Sequence, residues 1–366
     1  MSSNIAVLGA GLMGRLIAAE LSRAGHRVQV YERGGPDGQT SAAYIAAAML
    51  APLAESVVSE PIVTRLGLAS LERWPEILGA LPEPVFFQRE GTLIVWHPQD
   101  RDQAAQFSAR LSTLEPELRG GERIRELSGA EIESLEPALG QRFAKGIYLA
   151  GEGQLDNRAL MYALLRQLES SGARLLWHTD MAPERVEADW VIDCRGLGAK
   201  PDWKALRGVR GEVVRVHSPE VGLTRPARLL HPRYPLYIAP KPDGVYVIGA
   251  TQIETEDMSS TSVRSALELL SALYSVHPAF GEARILEMGV QCRPALPDNL
   301  PQIRWDGGRL IQVNGLYRHG YLIAPAVLDA SLALLRHLSG EEGANFEDWR
   351  ASQIWGSLYR RDEARP

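Results

Sequence analysis

One stretch limits what this chain can fold into more than any other: Asn4-Ile5-Ala6-Val7-Leu8-Gly9-Ala10-Gly11-Leu12-Met13-Gly14. Its apolar run predicts a buried parallel strand and its glycines a G-x-G-x-x-G turn. The residues from Leu16 to Ala24 continue as a helix, which leads to a second short strand from Val28 to Arg33. Each glycine has its own task. Gly9 permits the tight turn, Gly11 lets a pyrophosphate approach the backbone, and Gly14 lets helix and strand pack closely. Free N–H groups and the dipole at the helix start favour phosphate. Glu32 closes the second strand about twenty residues on, where its carboxylate can accept hydrogen bonds from both ribose hydroxyls of an adenosine and would repel a 2′-phosphate. The pattern predicts a dinucleotide cradle. Because FAD and NAD share an ADP half, it does not separate them.

Composition narrows the partners. With 366 residues, 45% of them hydrophobic, the chain is long enough for two domains and a large core. A formal net charge of -6 provides no global field for nucleic acid or an anionic membrane, so neither is expected as a partner. The two cysteines, Cys194 and Cys292, give no disulfide framework and fit a reducing compartment. With a strand beginning almost at once and no leader pattern before it, a cytoplasmic location is expected. No window approaches the length of a membrane-spanning helix on this reading; the most apolar candidate, Ala42 to Leu53, is short and interrupted by Pro52. The histidines fall in no zinc-type spacing, and neither a G-x-S-x-G elbow nor a Walker loop is present. Metal, hydrolase and phosphotransferase chemistry are therefore not expected.

Along the chain, the alanine-rich segment from Thr40 to Met49 reads either as a helix packed through small side chains or as backbone laid against a flat ring system. Glu60 to Leu78 carries apolar residues at helical spacing and predicts a scaffold helix. From Pro82 the texture changes. Val85 to Phe87 and Thr92 to Trp96 read as paired strands around Glu90-Gly91, followed by helical stretches from Arg101 to Leu114 and Gly129 to Leu135. A strand over Lys145 to Leu149 precedes a helix from Asn157 to about Leu168, capped by Asp156. Two buried strands follow, Arg174 to Trp177 and Trp190 to Cys194, the second ending in the small-residue turn Arg195-Gly196-Leu197-Gly198, which suits re-entry into the cradle domain. Short β runs over 210–216, 227–230, 236–239 and 245–249 predict a mostly antiparallel sheet, then a helix from Val263 to Tyr274 and a strand from Arg284 to Gln291. Finally Leu310 to Val313 leads to a helix from about Ala324 to Leu338, opened by Pro325. The cradle thus draws on the beginning, middle and end of the chain, whereas an NAD dehydrogenase usually keeps it in one block.

At this point the motifs resemble a known family. Gly9 to Gly14, the alanine stretch ending at Met49, Gly153 to Leu160, Gly289-Val290-Gln291-Cys292-Arg293-Pro294-Ala295-Leu296-Pro297-Asp298 and Gly315-Leu316-Tyr317-Arg318-His319-Gly320 together resemble the FAD-dependent amino acid oxidases of the D-amino acid oxidase superfamily, and most of all the glycine oxidases of thiamine biosynthesis. The likeness covers nearly the whole chain. It implies a fold of mixed α/β and α+β class: a discontinuous Rossmann-like FAD-binding domain over 1–80, 146–208 and 299–366, and a mostly antiparallel β-sheet substrate domain over 81–145 and 209–298. It also implies a reaction in which the α C–H of an amino acid delivers hydride to flavin N5, the imine hydrolyses, and O2 is reduced to hydrogen peroxide. The cofactor carries the hard step, so no catalytic acid or base and no metal is required. What the chain must supply is orientation, through a buried guanidinium for the substrate carboxylate and a hydroxyl that fixes its tilt.

Residue by residue, the resemblance assigns Arg293 and Tyr237 to the carboxylate, with Met49, Gln252 and Arg318 completing the substrate pocket. It assigns a non-covalent FAD to Gly9, Gly11, Leu12, Met13, Gly14, Glu32, Arg33, Thr40, Ser41, Ala47, Ala48, Met49, Gly196, Leu316, Tyr317, Arg318, His319, Gly320, Tyr321 and Leu322. Backbone N–H groups at the start of the last helix would stabilise negative charge on the reduced ring. Pro235 and Gln252 stand where the family carries a pocket histidine and methionine, which leaves the preferred substrate open. Cys292 lies near the covalent flavin attachment of related sarcosine oxidases and reads as a buried strand cysteine. The implied substrates are glycine, sarcosine and short D-amino acids, the implied product glyoxylate or another 2-oxo acid, and the implied assembly a homo-oligomer, with a tetramer among its forms. Two alternatives stay open: a D-amino acid dehydrogenase passing electrons to a quinone, and a flavin-binding module without turnover. A tRNA-modifying flavoenzyme is disfavoured, since no basic stripe is visible.

Overall fold

The computed structural model describes residues 2–120, 123–232, 236–340 and 358–361. Its first unit is Asn4–Leu8 (β1), Leu12–Arg23 (α1) and Arg27–Tyr31 (β2). Ile5 to Leu8 are all buried, and Gly9, at φ +89°, turns the chain from strand to helix. A β-carbon at Gly14 would fall on the Gly9 carbonyl, so α1 seats on the strand end only because that position is glycine.

The alanine stretch holds a helix only over Ala42–Ile45 (α2), capped by Ser41; Met49–Leu50 (β3), Pro52–Ser56 (α3) and Pro61–Gly79 (α4) follow. Asn157 Nδ2 donates to the carbonyls of Ala43 and Tyr44 at 3.0 and 2.6 Å, and the Tyr321 hydroxyl donates to Ala43 at 3.0 Å. Those acceptors would otherwise serve the next helical turn, so the chain runs on extended from Ala46.

The hairpin expected around Glu90-Gly91 does not form. Phe87–Gln88 (β4) and Thr92–Trp96 (β5) lie in different sheets. Gly91, at φ +79°, turns the chain between them and gives its N–H to the Glu152 carbonyl at 2.9 Å. Next come Arg101–Ser112 (α5), Pro116–Arg119 (α6), Ile124–Ser128 (β6), Gly129–Leu135 (α7), Lys145–Leu149 (β7), Gly153–Leu155 (β8) and Asn157–Ser170 (α8). The Asp156 carboxylate caps α8 through the N–H groups of Arg158 and Ala159, as its position predicts. The rest of the chain gives Arg174–Leu176 (β9), Trp190–Asp193 (β10), Arg207–His217 (β11), Ala227–Leu230 (β12), Leu236–Lys241 (β13), Val245–Gly249 (β14), Val263–Val276 (α9), Arg284–Ala295 (β15), Gln302–Trp305 (β16), Leu310–Asn314 (β17), Gly320–Leu338 (α10) and Tyr359–Arg361 (β18).

Among the described residues three sheets result, with strand orders β18-β16-β17-β10-β1-β2-β9, β15-β11-β14-β13-β12-β5-β7-β6 and β3-β8-β4. In the first, β1, β2, β9, β10 and β17 run parallel, which brings the ends of β1 and β10 side by side as the Gly196 turn predicts. The second is antiparallel except where β12 meets β5. The domain boundary expected at 145/146 cuts β7, which pairs with β5 and β6 along its whole length. Ile147 and Leu149 pack with Ile94 in that sheet's core, and this burial holds the strand there. Much of the expected span 299–366, namely 341–357 and 362–366, lies outside the described residues.

The core of the first sheet forms against α1, α4 and α10. Helix α10 starts at Gly320 rather than Ala324, so Pro325 sits inside it. Proline has no N–H to give the Tyr321 carbonyl four residues back; the indole N–H of buried Trp74 donates to that carbonyl instead, at 3.1 Å. Ser70 Oγ likewise accepts the N–H of Ala326 at 3.1 Å. These two bonds tie α4 to α10 beside Pro325, within the apolar core the helices share. Residues 317–338 are also long and apolar enough to cross a membrane, contrary to the expectation that no window is, but they are mostly buried inside the protein as core.

Candidate active site

One cavity of about 760 Å³ runs from the glycine turn to the antiparallel sheet. Every cofactor and substrate residue expected from the sequence lines it except Gly14, which acts beneath it by letting α1 close on β1. At the nucleotide end the Glu32 carboxylate accepts the N–H of Ala10 at 2.6 Å and of Gly34 at 2.7 Å. It therefore braces the glycine turn, and each oxygen keeps a lone pair for a ribose hydroxyl. Thr40, Ser41 and the exposed Arg33 edge the same end.

Sequence reasoning missed Arg15. Its guanidinium is buried and donates to the carbonyls of Ala10 at 2.8 Å, Met161 at 2.7 Å and Pro36 at 2.7 Å. It ties the glycine turn to α8 and to the loop after β2. An arginine on an otherwise apolar helix face was the available signal.

Across the middle, Ala47, Ala48 and Met49 form one wall. Ala48 holds φ +51°, and its carbonyl accepts the N–H of Leu155 at 3.1 Å. Buried Lys241 donates to the carbonyls of Ala47 at 2.8 Å and Leu155 at 2.7 Å and to Gln154 Oε1 at 3.1 Å, and burial brings its pKa down to about 7. Opposite, Gly196, at φ +55°, has its carbonyl held by Asn314 Nδ2 at 2.9 Å. Residues 316–322, the turn and first residues of α10, close the wall.

At the far end stand Arg293, Tyr237, Gln252 and Arg318. The Arg293 guanidinium donates only to carbonyls, that of Arg210 at 3.3 Å and that of Thr251 at 3.2 Å, and no carboxylate pairs with it among the described residues. Desolvation lowers its pKa and raises that of the neighbouring Tyr237 hydroxyl. Arg318 is held differently. Its Nε and Nη2 donate to Glu55 Oε2 at 2.9 and 2.5 Å, and its Nη1 to Gln252 Oε1 at 3.3 Å. Glu55, on α3, also faces Arg228, which gives a hydrogen bond to the Ala54 carbonyl at 2.8 Å. Burial alone would raise the Glu55 pKa, but Arg318 and Arg228 bring it down to about 2. His319 is driven to about 4 by burial and stays neutral near pH 7. Neither Glu55 nor Arg228 was expected. Glu55 is the lone charge between Asp37 and Glu60, which is the signal the sequence offered. Three guanidinium groups against one carboxylate leave this end of the cavity positive.

Cys292 is buried and free, its Sγ directed to the Thr255 carbonyl at 3.7 Å. Pro235 lies outside the described residues.

The cavity thus joins the glycine turn to Arg293 on the antiparallel sheet. Residues 4–327 fit the model of the FAD dependent oxidoreductases named DAO. The chain belongs to that family. It is 41% identical over 339 residues to a provisionally named thiamine biosynthesis oxidoreductase ThiO of Rhizobium etli, covering 93% of this chain and 97% of the relative. It is 29% identical over 356 residues to a glycine oxidase of Geobacillus kaustophilus, covering 88% and 90%. The crystal structure of glycine oxidase from Geobacillus kaustophilus superposes with a TM-score of 0.77 at 23% identity, covering 94% of this chain and 96% of that one, a likeness of fold. The protein is an FAD-dependent oxidoreductase of the glycine oxidase/ThiO type, with a Rossmann-like FAD-binding fold. The residues present fit the cofactor: a glycine turn that no β-carbon could enter, a carboxylate at the ribose position and a continuous wall of alanines lead to the positive end.

Proposed function

We propose that this enzyme oxidises glycine and other small amines, including sarcosine and short D-amino acids, to glyoxylate or another 2-oxo acid in thiamine biosynthesis, with water consumed, ammonia or an amine released, and O2 reduced to hydrogen peroxide. FAD, when bound without a covalent link, would supply the acceptor for a hydride and the two electrons it carries; the chain's residues bind and orient. The observation that carries this reading is Arg293, a half-buried cation facing the cavity whose guanidinium meets no carboxylate among the described residues.

Arg293 receives the substrate carboxylate in a charge-assisted pair, which contributes about 1.5–3 kcal/mol. Tyr237 adds its hydroxyl and, with Met49, sets the tilt that points the α-carbon at the alanine wall. With the carboxylate bound, the remaining positive charge of Arg318 and Arg228 over Glu55, together with the start of α10, favours the electron-rich ring that forms during turnover. No side chain need remove a proton from carbon, since the bond breaks with its electron pair. Gln252, held by Arg318, borders the space beyond the α-carbon and limits side-chain size.

The test is oxygen uptake with stoichiometric peroxide release by the purified protein given glycine, sarcosine and D-alanine, without any quinone. Turnover that appears only when a quinone is added would overturn the oxidase reading in favour of a dehydrogenase.

A further inference from the structure

The two carbonyls that hold Arg293 are not independent. One belongs to Arg210 and the other to Thr251, and the side chains of these residues meet on one carboxylate, that of Glu212. Glu212 Oε1 accepts Arg210 Nε at 3.0 Å and Nη2 at 2.6 Å, while Oε2 accepts the Thr251 hydroxyl at 3.3 Å. The same hydroxyl accepts the N–H of Glu212 at 2.9 Å, and the Glu212 carbonyl accepts the N–H of Thr251 at 3.2 Å. Glu212 is buried, and between Arg210 and Glu212 lies Gly211, whose missing β-carbon makes room for the guanidinium.

We propose that Glu212 is a positioning residue for substrate binding: its two oxygens lock Arg210 and Thr251, whose carbonyls set the plane of the Arg293 guanidinium. This rests on the reading that Arg293 receives the substrate carboxylate. The geometry follows from what each partner lacks. A guanidinium aimed at a bidentate carboxylate needs its plane fixed, and a carboxylate neighbour on Arg293 itself would fix it at the cost of competing with substrate. Backbone carbonyls hold it without competing. They are held in turn where β11 meets the segment after β14: the Arg210 carbonyl also accepts the N–H of Ile253 at 3.0 Å in a backbone bridge, while Thr251 is tied to β11 through its bonds with Glu212. Glu212 spans them while its charge is met by Arg210 rather than by Arg293.

The test uses the FAD-loaded protein and acetate, an inert carboxylate, titrated by perturbation of the flavin spectrum. Glu212→Gln keeps the shape but replaces one acceptor oxygen with a donor, and it should weaken acetate about fivefold to tenfold, with a like rise in glycine KM and little change in kcat. Thr251→Val should act in the same direction and Thr251→Ser should restore wild-type affinity; this pair carries the test if Glu212→Gln does not fold. A merely structural role would lower the melting temperature without this selective loss in the folded, FAD-loaded fraction. Wild-type acetate affinity in both Glu212→Gln and Thr251→Val, with affinity lost in Arg293→Ala, would overturn this inference alone. Unchanged acetate affinity in Arg293→Ala would overturn the site reading and this inference together.

Discussion

The guanidinium of Arg293 lies against Gly211 so closely that any β-carbon at that position would overlap its nitrogens. Gly211→Ala must therefore push the guanidinium off its two carbonyl partners. The glycine KM should rise at least about tenfold, the equivalent of losing one charge-assisted hydrogen bond, while FAD content stays at the wild-type level. Steady-state kinetics with a flavin count checks this, and an unchanged KM would show that Arg293 does not set substrate affinity.

Arg293→Ala removes the charge itself. Turnover efficiency, kcat/KM for glycine, should fall by about one to two orders of magnitude or more, because a buried carboxylate loses its ionic partner. Bound flavin should remain, since the glycine turn and Glu32 lie at the other end of the cavity. Near-normal kinetics would remove Arg293 from the site.

Trp74→Phe tests the α4–α10 pairing apart from chemistry. It leaves the Tyr321 carbonyl, already denied an N–H by Pro325, without its indole donor in a buried setting. The expected loss is about 1–3 kcal/mol of unfolding free energy, read from the urea midpoint at constant m-value.

Glu152 gives a pH signature. Burial pushes its carboxyl up to about 7 from 4.5, although its Oε1 accepts the N–H groups of Leu53 at 2.7 Å and Ala54 at 2.9 Å. A raised acid pKa means that the folded state binds the proton more tightly than the unfolded chain. The stability it contributes is full below about pH 4.5 and is lost as pH rises through about 7. Glu152→Gln keeps an acceptor and removes the titration, so its melting temperature relative to wild type should climb between pH 5 and pH 8. Parallel curves across that window would mean that Glu152 is ionised throughout.

Much of this was legible in the residues themselves. The glycine turn, Glu32 and the Asp156 cap are local features, each requiring its residue type whatever surrounds it. The Arg293-Pro294 strand and the Gly315 to Gly320 turn came through family likeness, and the fold brings them into one cavity. What sequence could not show were relationships between distant segments. Val85 to Phe87 has the texture of a hairpin arm, but partners far along the chain, the Glu152 carbonyl for Gly91 and β8 for Phe87–Gln88, take it elsewhere. Alanines 46–48 have strong helix propensity, yet Asn157 and Tyr321 take the carbonyls a longer helix would need. Glu55, Arg228 and Glu212 look like ordinary surface charges until the sheets close on them, because a buried ion pair leaves no periodic trace in the sequence.

The most direct measurement is an anaerobic titration of the purified protein with glycine, sarcosine, D-alanine and D-proline while the flavin absorbance is followed. At least one of these amino acids should bleach the bound flavin, and readmitted oxygen should restore the colour with release of peroxide. A polypeptide that stays colourless when FAD is added, or a bound flavin that none of the four reduces, would contradict the account.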